Sequence, residues 1–322
     1  MTTPTMQAAL LTAPRSLRVV SMPLPEPGAH EVRIRLEGCG VCASNLPVWE
    51  GRPWFSYPLA PGAPGHEGWG SIEALGPAAH GLSVGERVAV LSSQAYATHA
   101  IVPAEAVVTL PPRLDGVPFP GEALGCALNI MRRSAIQPGQ TVAILGIGFL
   151  GALLTRLVTQ AGAQVIAISQ RDYALQIAQR YGAMATLHLQ DPQQVQAQVH
   201  TLTHGAGCDR VIEAVGLQEP LALAAELTRV RGRLIIAGYH QDGMRQVNMQ
   251  LWNWRGFDVI NAHERDPAVI REGVSLAIEA VCQGTLDPTP LYTHTAPLAR
   301  LSELFTAMQH RPPGFLKACL LL

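Results

Sequence analysis

The chain has 322 residues, 48% of them hydrophobic and 15% charged, with a formal net charge of -1. Those values exclude a disordered chain and give no electrostatic case for nucleic acid or an anionic membrane as a partner. Two domains are expected, each long enough to bury a core of its own. Six cysteines are too few for a disulfide scaffold in so long a chain. Met1-Thr-Thr-Pro-Thr5 carries no basic n-region ahead of an apolar core, and no charge-free apolar run reaches transmembrane length. The expectation is a cytoplasmic protein without a signal peptide, its cysteines free thiols or metal ligands.

In chain order, residues 1 to about 115 are rich in Pro and Gly and carry short alternating runs. Glu31–Leu36 and Arg87–Leu91 read as half-buried strands of a compact all-β unit, such as a small barrel. Around Pro111–Pro118 the pattern changes to strands alternating with helices. Val142–Leu145, Val165–Ile168, Val211–Val215 and Leu234–Ala237 read as buried strands, with helices such as Tyr173–Tyr181 and Leu221–Thr228 between them. A parallel, doubly wound α/β sheet follows. Past Leu286–Leu291 come an amphipathic segment, Leu298–Met308, and an apolar strand, Leu316–Leu322.

The second regime turns on Thr141-Val-Ala-Ile-Leu-Gly-Ile-Gly-Phe-Leu-Gly151. A wholly apolar run leads into G-x-G-x-x-G, and Leu150, Leu153, Leu154, Leu157 and Val158 then recur at helical spacing. Strand, glycine turn and helix in that order are the context of a dinucleotide fingerprint. Gly146 permits the tight turn, Gly148 lets the backbone approach a pyrophosphate, and Gly151 allows close packing of helix on strand. Ile147, Phe149 and Leu150 complete the turn, and the helix N-terminus offers N–H groups to the phosphates.

The first regime holds Gly38-Cys-Gly-Val-Cys-Ala-Ser-Asn45 and then Gly65-His-Glu67. A lone C-x-x-C fits a redox couple, a zinc half-site or two buried thiols, and no second pair completes a four-cysteine site. Cys42 and His66 supply a thiolate and an imidazole, two of the three protein ligands of an open catalytic zinc, with Glu122 or Cys126 as the third.

Together these motifs resemble the zinc-dependent alcohol dehydrogenase type of the medium-chain dehydrogenase/reductase superfamily, over nearly the whole chain. The likeness also rests on Gly85–Val88 with Tyr96–Pro103, on Asp209–Gly216, on Gly232–Gly238 and on Phe315–Leu320. It implies a GroES-like β-barrel catalytic domain, residues 1–122 completed by 286–322, with a Rossmann domain, 123–285, inserted. It further implies that Cys42 and His66 bind zinc, that Glu67 stands beside the metal as an occasional fourth ligand, and that Ser44 hydrogen-bonds the substrate oxygen. The family's third ligand stands about one helix ahead of a Pro-Gly, here Pro138-Gly139, which favours Glu122 over Cys126. Lys317 falls where the family keeps a basic residue that contacts the cofactor.

Three departures matter. The structural-zinc lobe is missing, so one zinc per chain is expected. Asn45 stands in place of an Asp that orients the ligand histidine; an amide oxygen can still accept the imidazole N–H, but without charge it leaves the ligand less basic and the zinc more electrophilic. Pro47 replaces a relay His, which leaves Ser44, water and the cofactor ribose to carry the proton. At the end of the second Rossmann strand, Ser169-Gln-Arg171 lacks the acid that binds the 2′-hydroxyl of NAD. Arg171 there favours the 2′-phosphate of NADP(H), with NAD(H) as the second choice.

His99, His188 and His204 read as surface or packing residues, and Cys208, Cys282 and Cys319 as buried thiols. Trp49 and Trp54 are divided between core packing and a substrate pocket. The function expected is hydride transfer between a nicotinamide cofactor and a small alcohol or polyol, or the matching aldehyde or ketone, in a homodimer or homotetramer. The rivals are a zinc-free quinone or enone reductase of the same superfamily and a catalytically silent nucleotide-binding protein.

Overall fold

The computed structural model describes residues 4–322; Met1–Thr3, where the stretch read for a leader begins, lie outside them. The chain forms two compact units, one running up to Gly125 and taking in Pro267–Leu322, the other Cys126–Asp266. The helix Pro267–Cys282 falls in the first unit. Gly125 permits this: a Cβ there would lie 2.7 Å from the Val274 backbone nitrogen.

The chain opens with the antiparallel ribbon β1 (Thr5–Ala13) and β2 (Ser16–Pro23). There follow β3 (Glu31–Val41), α1 (Leu46–Glu50), β4 (Glu67–Leu75), β5 (Arg87–Val90), β6 (His99–Pro103) and β7 (Val107–Thr109), and α2 (Gly121–Ser134) leads onward. The second unit runs β8 (Thr141–Leu145), α3 (Phe149–Gln160), β9 (Gln164–Ser169), α4 (Asp172–Arg180), β10 (Ala185–His188) and α5 (Pro192–Leu202). It continues with β11 (Cys208–Glu213), α6 (Gln218–Leu227), β12 (Thr228–Ile236), α7 (Met249–Arg255) and β13 (Asp258–Asn261). The chain closes with α8 (Pro267–Cys282), β14 (Tyr292–Pro297), α9 (Leu301–His310) and β15 (Lys317–Leu321).

In the first unit the strands lie in the order β14-β15-β3-β4-β5-β7, with β6 also paired to β3. The all-β unit expected of the first 115 residues is thus completed by the last two strands of the chain. Along β3 the alternation is strict at first: Val32, Ile34 and Leu36 are buried, and Arg33 between them bonds Glu73 at 2.8 Å. The core they face includes Trp49, Tyr96 and Phe305.

The second unit is a parallel sheet in the order β10-β9-β8-β11-β12-β13. Its central strands are apolar because both faces are covered: Val142, Ala143, Ile144 and Leu145 are all fully buried. Burying each large side chain contributes about 1.5–3 kcal/mol. The order reverses between β8 and β11, and ligands of such sheets bind at that switch point, outside the carboxyl ends of the strands. The edge strands β10 and β13 are partly exposed, and their mixed composition gave no strand signal. Among the described residues no helix is long and apolar enough to cross a membrane.

Candidate active site

The antiparallel register of β3 on β4 pairs Gly40 with Glu67. Cys42 lies just past the end of that ladder and His66 just before its start, so the ladder itself brings thiol, imidazole and carboxylate together. The candidate ligand atoms of Cys42, His66 and Glu67 all lie within 4.8 Å of one another. Ser44, in the single turn Ala43–Asn45 that follows, donates its hydroxyl to the Cys42 sulfur at 3.2 Å. Cys39, the other half of the C-x-x-C, faces the core, fully buried, with its sulfur 3.4 Å from the Gly40 carbonyl. Burial first, and then the Glu67 charge, push the Cys39 thiol well up, so it is an inert packing group.

His66 Nδ1 lies 3.0 Å from the Pro64 carbonyl. A carbonyl only accepts, so Nδ1 carries the proton and Nε2 is the nitrogen left for a ligand. Burial works to lower the imidazole, but the hydrogen bond and charge of Cys42, with the charges of Glu67 and Glu122, push it up to about 10. Cys42, Glu67 and Glu122 thus all favour a cation at His66. Soft thiolate, imidazole and carboxylate are the donor set of a zinc site, and the residues present fit that metal.

Glu67 is fully buried, and its two oxygens lie 2.7 and 2.5 Å from Nζ of Lys317 on β15. The pairing of β15 on β3, Ala318 with Val41, sets this contact. Burial alone would lower the Lys317 ammonium; the charge of Glu67, then those of Cys42 and Cys319, holds it up. Lys317, expected against a cofactor, is thus engaged within the first unit. Gly40 makes room for the pair, since a Cβ there would overlap a Glu67 oxygen. Glu122, in the first turn of α2, stands outside the three-residue group, yet its charge reaches His66. Cys126 lies one turn further along α2.

Asn45 corrects one expectation. It does not accept from His66; its amide nitrogen donates to the Tyr96 hydroxyl at 2.9 Å and to the Pro64 carbonyl at 3.3 Å. Trp49 is a core residue, stacked on Phe305 at 4.8 Å between ring centroids, whereas Trp54 is half exposed.

In the second unit, β8 runs into the turn Gly146–Gly148 and α3 starts at Phe149. Gly146 has φ +94, open only to glycine at low cost. A Cβ on Gly151 would overlap the Gly146 carbonyl, so the close approach of helix to turn needs hydrogen there. A Cβ on Gly148 would meet nothing within 4 Å, which leaves an open cradle over the backbone, as a bound pyrophosphate requires. Arg171 turns back over this turn and donates to the Ile147 carbonyl at 3.0 Å, while its backbone N–H meets the hydroxyl of buried Ser169 at 3.3 Å. Gln170 points outward.

A network that the sequence reading did not assign closes the switch point. Glu213, buried at the end of β11, accepts from the backbone N–H of Val215 and Gly216, each at 2.7 Å. Its other oxygen meets His240 Nε2 at 2.9 Å, and Arg245 donates to His240 Nδ1 at 2.9 Å. The one signal for it was an acid inside an otherwise apolar strand.

Residues 28–112 match the family described as alcohol dehydrogenase GroES-like domain, and residues 150–280 that described as zinc-binding dehydrogenase. L-threonine 3-dehydrogenase of Bacillus subtilis is 26% identical over 90% of this chain and 91% of its own. Sorbitol dehydrogenase of Homo sapiens is 26% identical over 91% of this chain and 89% of its own. A zinc-binding dehydrogenase of Sinorhizobium meliloti 1021, solved bound to NADP, shares the fold with TM-score 0.84 and 22% identity, covering 99% of this chain and 100% of that one. These matches define a GroES-like unit carrying a Rossmann-type unit. The chain belongs to the zinc-type medium-chain dehydrogenase/reductase superfamily and is an oxidoreductase.

Proposed function

We propose that the chain is a zinc-dependent dehydrogenase that moves a hydride between NADP(H) and a small alcohol or polyol, or the matching carbonyl compound. The observation that carries this reading is the convergence of Cys42, His66 and Glu67, with the Ser44 hydroxyl on the Cys42 sulfur. Cys42, His66 and Glu122 would hold one zinc, with Glu67 as an occasional fourth ligand, and the missing structural lobe argues against a second metal. Zinc, when bound, supplies Lewis acidity toward the substrate oxygen. Ser44 would hydrogen-bond that oxygen and hold or pass on its proton, a role that Pro47 cannot share. Gly146–Gly151 would cradle the pyrophosphate of the cofactor, and Ser169 and Arg171 would receive its 2′-phosphate. The alcohol and polyol class rests on relatives such as sorbitol and threonine dehydrogenases. A cytoplasmic homodimer or homotetramer remains part of the proposal.

A zinc-free enone reductase needs neither Cys42 nor His66, and a silent nucleotide-binding protein needs no Ser44. The test is Cys42→Ala, assayed on a panel of alcohols and polyols by nicotinamide absorbance. Turnover should vanish while cofactor binding by the second unit persists. Full turnover in that variant would contradict the proposal.

A further inference from the structure

Tyr96 is fully buried beside the cluster, its ring edge-on to Phe305 at 5.8 Å between centroids. A phenol in so apolar a core is costly unless its hydroxyl is bonded. That hydroxyl accepts from Asn45 Nδ2 at 2.9 Å and donates to the Gly40 carbonyl at 3.4 Å. Asn45, itself buried, directs its nitrogen also at the Pro64 carbonyl, 3.3 Å away, and that carbonyl accepts from His66 Nδ1 at 3.0 Å. The direction of every bond is fixed by its ends. Both carbonyls only accept, so the tyrosine donates to Gly40, the amide nitrogen donates twice and the imidazole donates from Nδ1. An Asn45 amide turned the other way would set its oxygen against the Pro64 oxygen.

We propose that Tyr96 is a positioning residue of the metal site. Through Asn45 it holds the Pro64 carbonyl against His66 Nδ1, which fixes the tautomer and aims Nε2 at the cluster. The inference deepens the proposed function and rests on its reading of Cys42 and His66 as zinc ligands. It also gives the ligand imidazole an uncharged outer partner. Such a partner leaves the ring less basic than a carboxylate would, so a bound cation keeps more of its charge for the oxygen it polarises.

The test is zinc affinity of the full-length chain, by competition with a chromogenic chelator, together with the visible spectrum of the Co(II)-substituted protein. Tyr96→Phe keeps the ring and its contact with Phe305 and removes only the hydroxyl. Its zinc dissociation constant should rise about tenfold or more, with shifted Co(II) bands. Asn45→Ala breaks the same chain and should do the same, and the double variant should lose no more than either alone. Phe305→Leu loosens the same core without touching the hydroxyl and should leave zinc affinity and Co(II) bands unchanged. Zinc affinity unaltered in Tyr96→Phe, or reduced as much in Phe305→Leu, overturns the role of Tyr96 alone. A parent chain that takes up no zinc overturns both that role and the reading of the cluster.

Discussion

In the first unit the candidate chemistry is carried by side chains that a strand ladder brings together, whereas in the second it is carried by backbone from which side chains are kept away. Cys42, His66 and Glu67 meet because Gly40 pairs with Glu67 across β3 and β4. The Gly146–Gly151 turn works because Gly148 leaves its cradle open and Gly151 lets the Gly146 carbonyl approach. The side-chain cluster is therefore broken by taking atoms away, and the turn by adding them. The second unit also carries one feature of the opposite kind, Arg171, whose side chain leans over the backbone turn.

The largest effect expected from this contrast falls on the buried ion pair. Glu67→Gln leaves the Lys317 ammonium, 5% exposed, without its carboxylate. Removing one partner of a buried pair destabilises by about 3–5 kcal/mol. Denaturant unfolding of the metal-free chain should show that loss, and adding Lys317→Met should recover much of it. A variant as stable as the parent would mean that Glu67 is held by something other than Lys317.

The next effect separates two residues on one helix. Glu122→Ala should weaken zinc retention roughly ten- to a hundredfold, even if it only supports the ligands. Cys126→Ala should act as a small packing change. Chelator competition on both variants measures the ranking, and the reverse order would make Cys126 the ligand.

The smallest effect tests the side chain over the turn. A charge-assisted bond to phosphate contributes about 1.5–3 kcal/mol, so Arg171→Ala should weaken NADP(H) by roughly tenfold or more while sparing NAD(H). Ser169→Asp should reverse the preference by repelling the phosphate and accepting from a free ribose hydroxyl. Fluorescence titration with both cofactors checks this; an equal loss for the two would leave Arg171 as a turn-bracing residue only.

The two regions also differ in how they can be read from sequence. The glycine turn was legible in full, because strand, turn and helix are consecutive and each glycine has a local reason. The cluster was legible as Cys42, His66 and Glu67, since their motifs flank one ladder. Its surroundings were not. Lys317 reaches Glu67 through a strand pairing between the two ends of the chain, and Tyr96 reaches Asn45 across a separate loop. Neither link leaves a trace in local spacing. Asn45 was read as an acceptor because only its oxygen suits the place of a carboxylate, whereas the Pro64 carbonyl had already filled that role for His66. The strand read to Val215 stops at Glu213, because the chain turns to give the Val215 and Gly216 N–H groups to that buried carboxylate.

Zinc uptake by the metal-free chain, titrated at several pH values, tests the central claim most directly. The account predicts one zinc per chain, retained by the parent and lost in Cys42→Ala. His66 is raised from 6.5 to about 10 in the metal-free chain, so its charged form stabilises that fold below about pH 6.5, a contribution lost as pH rises through about 10. Zinc must displace that proton, and its affinity should therefore climb with pH across the same window. No zinc, two zincs per chain, or an affinity that falls as pH rises from 6.5 would contradict the account.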